Sequence, residues 1–65
     1  MSEGSFSGAR RIVWQPGHDG RGTATFEYAE GISEEREMSP VEARVLAEEL
    51  GLVEVRELHE WVHLA

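Results

Sequence analysis

Two histidines and a glutamate near the end of the sequence have a spacing that could bind and use a metal ion. The string His59-Glu60-Trp61-Val62-His63 places the two histidines four residues apart. On an α-helix, residues i and i+4 lie one above the other, so both imidazole rings could bind one Zn²⁺. Glu60, next to the first histidine, could then act as general base on a zinc-bound water.

The string resembles the zinc-binding helix of the zincin metallopeptidases, and the resemblance implies that His59 and His63 are zinc ligands and that Glu60 is the base. It covers five residues of 65. Zincins take their third ligand from beyond this motif, where only Leu64 and Ala65 follow. A chain of this size also has little room for a substrate cleft beside its core. We therefore expect no catalytic residue and no cofactor, with a zinc ion held by the two histidines, in one chain or between two, as the alternative.

Length and composition limit the remaining possibilities. The chain has 65 residues, of which 40% are hydrophobic, and this predicts a folded domain rather than a disordered one. A domain of this size buries only about 60% of the surface of its unfolded chain, so a metal ion, a homodimer or a partner protein could add stability. Cysteine is absent, which excludes disulfides and thiolate zinc sites.

The N-terminal residues predict a tail rather than a targeting segment. Residues 1–8 are rich in serine and glycine and lack the apolar stretch of a signal peptide. No apolar run approaches the roughly 20 residues of a membrane-spanning helix. We expect a flexible tail over residues 1–8, one small domain over residues 9–65, no contact with a membrane and a cytoplasmic location.

Two segments predict a β-hairpin. Residues 9–15 are rich in β-branched and aromatic side chains, and residues 23–29 alternate between apolar and polar ones. The Asp19-Gly20 dipeptide between them is typical of a tight hairpin turn. A further turn precedes residues 32–38, which are either a third strand at the sheet edge or a loop. Their charged side chains favour the edge strand.

The clearest local signal begins a helix after Ser39. Pro40 occupies the first helical position and Glu42 the third, which is the pattern of a capping box. Gly51 is typical of the residue that follows a helix end. One apolar stripe of this helix should cover the sheet. It consists of Ala43, Leu46, Ala47 and Leu50.

A second apolar patch on the same helix, formed by Val41 and Val45, is not needed by a single core. The two valines lie on a separate arc, with Glu42 and Glu49 between that arc and the core stripe. Either the segment after the helix covers these valines, or they contact a partner.

The last segment, residues 53–65, fits a second amphipathic helix. Its apolar side chains fall within one arc of about 120°. They are Val55, Leu58, Trp61, Val62 and Ala65. No side chain caps the start of this helix, so a strand is the alternative. The predicted fold is thus α+β, with a small antiparallel β-hairpin or three-stranded sheet followed by two α-helices.

Negative charge dominates the second part of the chain. The formal net charge is −7, with +1 in residues 1–26 and −8 in residues 27–65. Such a field repels the phosphates of nucleic acids and the headgroups of membranes. We therefore expect no direct binding of nucleic acid and favour a partner protein with a basic surface. Glu48 and Glu49 also lie near a helix C-terminus, where the dipole disfavours anions, which indicates a role outside the fold.

These observations predict a non-catalytic protein-interaction module, such as an accessory, regulatory or inhibitory subunit of the kind that phages encode. Its predicted contact surface consists of Val41, Glu42, Val45, Glu48, Glu49 and Trp61. Metal binding through His59 and His63 is one alternative. A second is an acidic mimic of nucleic acid that occupies a nucleic-acid-binding protein. The glutamates of that mimic would be Glu30, Glu34, Glu35 and Glu37.

Overall fold

The computed structural model describes residues 6–64, which form a five-stranded antiparallel sheet and one helix. The elements are β1 (Ala9–Pro16), β2 (Gly22–Tyr28), β3 (Ser33–Met38), α1 (Pro40–Glu49), β4 (Val53–Arg56) and β5 (Glu60–Val62). The strand order across the sheet is β3-β2-β1-β5-β4. The predicted hairpin or three-stranded sheet followed by two helices is therefore wrong, because the last segment forms strands instead of a helix.

The hairpin of β1 and β2 confirms the prediction from the Asp-Gly signal. Asp19 and Gly20 both have a positive φ, 59° and 73°, as the two central residues of a type I′ turn require. Arg21 N–H donates to the His18 carbonyl at 3.1 Å and closes the turn. The register pairs Trp14 with Ala24 and Ile12 with Phe26, so these side chains share one side of the sheet.

The polar segment before the helix is a strand, and it lies at an edge of the sheet as predicted. β3 pairs only with β2 in the order of strands, from Gly22 opposite Met38 to Glu27 opposite Ser33. The chain reverses between these strands through Gly31, whose φ of +79° is the left-handed value that glycine adopts without strain.

Helix α1 begins and ends at the predicted signals. Ser39 accepts from the Glu42 N–H at 3.2 Å, and Glu42 accepts from the Ser39 N–H at 2.9 Å, which completes the capping box. At the other end, Gly51 N–H donates to Glu48 and Leu52 N–H donates to Ala47. This is a Schellman motif, and it turns the chain so that Leu52 enters the core.

Residues 53–64 do not form the predicted second helix and contain β4 and β5 instead, and Ala65 of that prediction lies outside the described residues. Leu58, in the turn between them, has a φ of 57°, and its N–H donates to the Glu54 carboxylate at 2.5 Å. β5 pairs with β1, with Trp61 opposite Ile12, and so covers the edge of β1 that the hairpin leaves open. The spacing of apolar residues in this segment indicates a helix, because strands of four and three residues are too short to show an alternation of apolar and polar side chains.

The core lies between α1 and one side of the sheet, which we call the inner face. α1 packs mainly on β1, β2 and β4. The buried apolar residues are Ala9, Ile12, Trp14, Ala24, Phe26, Met38, Ala43, Ala47, Leu52 and Trp61. The Trp14 indole N–H donates to the Met38 carbonyl at 2.9 Å, which joins β1 to the end of β3. Among residues 6–64, no helix is long and apolar enough to cross a membrane.

Candidate functional site

An open groove of about 530 Å³ runs between α1 and the end of β3, and we call it the α1 groove. Because α1 lies over the other strands, the inner side of β3 is only partly covered. The floor of the groove is apolar and its rim is charged. The floor is formed by Phe6, Met38 and Leu46, the side along the helix by Val41 and Val45, and the rim by Arg21, Arg36, Glu37 and Glu42.

Phe6 forms the end of the groove that lies over the sheet. Its ring stacks on Phe26, with 4.1 Å between the ring centroids and 15° between the planes. The Arg36 guanidinium lies over the Phe6 ring, 5.7 Å from its centroid. Residues 1–5 of the predicted tail lie outside the described residues, whereas Phe6 packs against the core. No sequence signal pointed to Phe6, since it is a lone aromatic in a serine- and glycine-rich segment.

Val41 and Val45 form the exposed helical side of the groove. Their side chains are one turn apart on α1, and the two residues are 51% and 44% exposed. The alternative that the following segment covers them is wrong, because both valines remain exposed beside the strands that this segment forms. Two β-branched apolar side chains are therefore left facing solvent beside an apolar floor.

Three of the four charged residues of the rim, Arg21, Arg36 and Glu42, form ion pairs within the chain. Arg21 Nη2 lies 3.9 Å from the Glu42 carboxylate and donates to the Glu37 carbonyl at 3.3 Å. Arg36 forms an ion pair with Glu34. These pairs neutralise much of the rim and leave the floor as the part of the groove without a polar partner.

Searches against known protein families, curated proteins and solved structures gave no match to this chain. An open apolar floor beside charges that are largely paired within the chain can hold apolar side chains of a ligand.

The other predicted surface residues divide between helix and core. Glu42, Glu48 and Glu49 are exposed on α1, as predicted, and α1 has no basic residue in its last turn. Trp61 is only 1% exposed and belongs to the core, so it is not available to a partner on the folded surface.

The geometry on which the metal hypothesis depended is not present. His59 lies in the turn before β5, and His63 follows β5, so the intervening chain is extended and not helical. In a strand, residues four apart are separated by about 13 Å, too far for two ligands that must each approach zinc to about 2 Å. His59 Nδ1 lies 2.7 Å from the Glu57 carbonyl. Within residues 6–64, no group of three or more His, Cys, Asp or Glu side chains could hold a metal ion.

The glutamates of the predicted nucleic-acid mimic do not all lie on one side of the sheet. Successive residues of β3 face opposite sides of the sheet, so Glu34 lies on the inner face and Glu35 on the other side, the outer face. Glu34 is occupied by its ion pair with Arg36 and by a hydrogen bond from the Tyr28 hydroxyl. The glutamates of this segment therefore do not form one continuous anionic surface.

Arg11, Glu27 and Glu60 form a charge cluster on the outer face, which no pattern in the sequence predicts. Arg11 Nε donates to Glu60 at 2.8 Å, and its Nη1 donates to Glu27 at 3.1 Å. The hydrogen bond to Glu60, followed by that to Glu27, raises the pKa of Arg11 above its ordinary value. The pairing of Arg11 with Glu27 follows from the hairpin register, but Glu60 reaches the site only through the unpredicted strand β5.

Proposed function

We propose that this chain is a non-catalytic protein-interaction module that binds a partner protein through the α1 groove. The observation that carries the proposal is the exposure of Val41 and Val45, which are 51% and 44% exposed beside an apolar groove of about 530 Å³. An exposed apolar patch with a polar rim is typical of a surface that binds another molecule. The role of such a module is accessory, regulatory or inhibitory.

The acidic side chains around the valines support a partner with a basic surface. Glu48 and Glu49 lie at the end of α1, where the helix dipole is negative and the last turn holds no basic residue. Arg44, one turn earlier, lies 3.9 Å from the Glu48 carboxylate in an exposed ion pair, which contributes little and leaves Glu49 without this partner. A cation brought by a partner would interact favourably with both carboxylates and with the helix end. The net charge of −7 would also increase the rate at which a basic partner associates.

The lining of the groove supports a binding role rather than a catalytic one. The described residues that line it include no Ser, Thr, Cys, His or Tyr side chain. Glu42 is committed to the capping box. Apolar contact, which needs no titrating group, is the interaction that this lining favours.

The test is a selection of binders from a displayed random-peptide library, followed by a comparison of two matched variants. Val41→Gln with Val45→Gln removes the apolar patch of the groove. The control, Val53→Gln with Val55→Gln, changes two valines of similar exposure, 42% and 51%, on β4. This strand lies at the opposite edge of the sheet from β3. Thermal unfolding would establish that both variants remain folded.

We expect the selected peptides to lose most of their affinity for the groove variant and to keep it for the β4 variant. Each valine that packs against a ligand contributes about 1 kcal/mol, so the double change should weaken binding about tenfold or more. Peptides that bind both variants equally, or a library that yields no binder dependent on the groove, would contradict the proposal.

A further inference from the structure

Two backbone carbonyls on the free edge of β3, beside the groove, already accept hydrogen bonds from arginine side chains. Tyr28 N–H donates to the Ile32 carbonyl at 2.8 Å, and hydrogen-bonded pairs alternate along antiparallel strands. The carbonyls of Glu35 and Glu37 therefore point away from β2. Arg36 donates to the first at 3.2 Å and Arg21 donates to the second at 3.3 Å. A ligand that added a strand to β3 would have to displace both guanidinium groups.

A second copy of the chain is disfavoured by charge. Each copy has a net charge of −7, and Glu42, Glu48 and Glu49 surround the valines on α1. A two-fold contact through α1 would bring both sets of carboxylates together, because such an interface uses the same patch twice. Like charges opposed in an interface weaken it, so the groove suits a different chain of opposite charge.

The dimensions of the groove suit a helix. The ten residues of α1 extend about 15 Å, which is the length of two to three turns of a second helix packed beside it. Val41 and Val45 are spaced i, i+4, so they form a ridge that packs between side chains of a partner helix with the same spacing. Basic residues flanking that apolar stripe would lie near Glu48 and Glu49 at the end of α1.

We infer that the ligand of the α1 groove is a basic amphipathic helix of a partner protein, with its apolar stripe on Val41, Val45 and the groove floor and its cations at Glu48 and Glu49. The inference rests on the proposed function and specifies the chemistry of the partner. Recognition of this kind uses anchors at i, i+3, i+4 and i+7 of the bound helix.

Three synthetic peptides of about 15 residues, a length at which isolated helices begin to form, test the inference. The first carries leucines at i, i+3, i+4 and i+7 with lysine and alanine elsewhere. The second has glutamate in place of lysine. The third has the composition of the first with a central proline, which breaks a helix. Affinity is measured by titration, the site by changes in backbone amide NMR shifts, and helix content by circular dichroism.

Two protein variants of equal net charge serve as a matched pair. Glu48→Gln with Glu49→Gln removes the carboxylates at the end of α1, and Glu30→Gln with Glu57→Gln removes two exposed carboxylates in turns elsewhere. We expect the lysine peptide to bind, to gain helix content and to shift the amides of Val41 and Val45. The first variant should weaken its binding roughly threefold to thirtyfold, whereas the second should leave it within about twofold.

The outcomes separate this inference from the function on which it rests. Three results would contradict a basic helix as the ligand. They are binding of the proline or the glutamate peptide as tight as that of the lysine peptide, an equal loss of affinity in both protein variants, and self-association of the chain through the groove. No binding of the lysine peptide, together with displayed peptides that depend on the groove, would overturn the inference and leave the proposed function standing. If no displayed peptide depends on the groove, both are wrong.

Discussion

Gly22 lies directly against the indole ring of Trp14. A Cβ atom at this position would be 2.6 Å from Trp14 Cζ2 and closer still to the Gln15 carbonyl oxygen. Gly22 belongs to β2 and is paired with Met38 of β3, whose carbonyl accepts from the Trp14 indole N–H. Because Gly22 has no side chain, the Trp14 indole can pass across β2 and reach β3. Its hydrogen bond to Met38 holds the end of β3, after which α1 begins.

Substitution of this glycine should destabilise the fold. In Gly22→Ala the new methyl group would force the indole or the backbone to move, and overpacking of this kind costs about 1–3 kcal/mol. The free energy of unfolding, measured by urea titration with tryptophan fluorescence, checks the prediction. Thr23→Ala, at the neighbouring exposed position, is the control and should change stability by less than about 0.5 kcal/mol. Equal effects of the two substitutions would show that the space at Gly22 is not restricted.

Arg21 should keep the β3 edge from pairing with another chain. Arg21→Gln removes the guanidinium that donates to the outward Glu37 carbonyl, so more oligomer should form as the protein concentration rises. The Arg21–Glu42 ion pair is exposed, and its loss should change stability by less than about 1 kcal/mol. Sedimentation velocity over a range of concentrations measures the association. Arg44→Gln, which removes the same charge from the surface of α1, is the control, and an identical concentration dependence in both variants would contradict the role of Arg21.

The parts of the fold that could be predicted are those set by neighbouring residues. Asp19 and Gly20 determine a turn because few other residues tolerate two successive positive φ values. Ser39 and Glu42 cap a helix through two local hydrogen bonds. β5 depends instead on pairing with β1, more than 40 residues earlier in the chain. β4 depends on pairing with β5 through a turn with Leu58 at a positive φ, which the sequence does not signal.

The same distinction applies to the candidate site. Val41 and Val45 were predicted from helical periodicity, since a position on a helix depends only on nearby residues. Arg21 and Met38 join the groove through the register of β2 and β3, and Phe6 joins it by stacking on Phe26, so no local pattern marks them. Trp61 is predicted in the contact surface as part of an amphipathic helix, whereas its pairing with Ile12 on a strand places it in the core.

Tyr28 makes stability depend on pH in the alkaline range. Partial burial, followed by the hydrogen bond to Glu34 and the charge of that carboxylate, raises the pKa of Tyr28 above its ordinary value of 10.0. The unfolded chain therefore loses the phenolic proton at a lower pH than the folded chain does. Its contribution to stability is fully present below pH 10.0 and is lost as the pH rises through the folded-state pKa.

Tyr28→Phe should remove this alkaline loss of stability. The chain has one tyrosine, no cysteine and, since all six basic residues are arginine, no lysine, so no other side chain titrates near pH 10. Urea unfolding between about pH 9 and about pH 11 should show a decrease in the stability of the wild type and a smaller one in Tyr28→Phe. The phenolate absorbance of the wild type gives an independent readout, because its midpoint should lie higher in the folded protein than in urea. A folded midpoint at or below that of the unfolded chain, or equal alkaline losses in the two proteins, would mean that Glu34 and burial do not retain the phenolic proton.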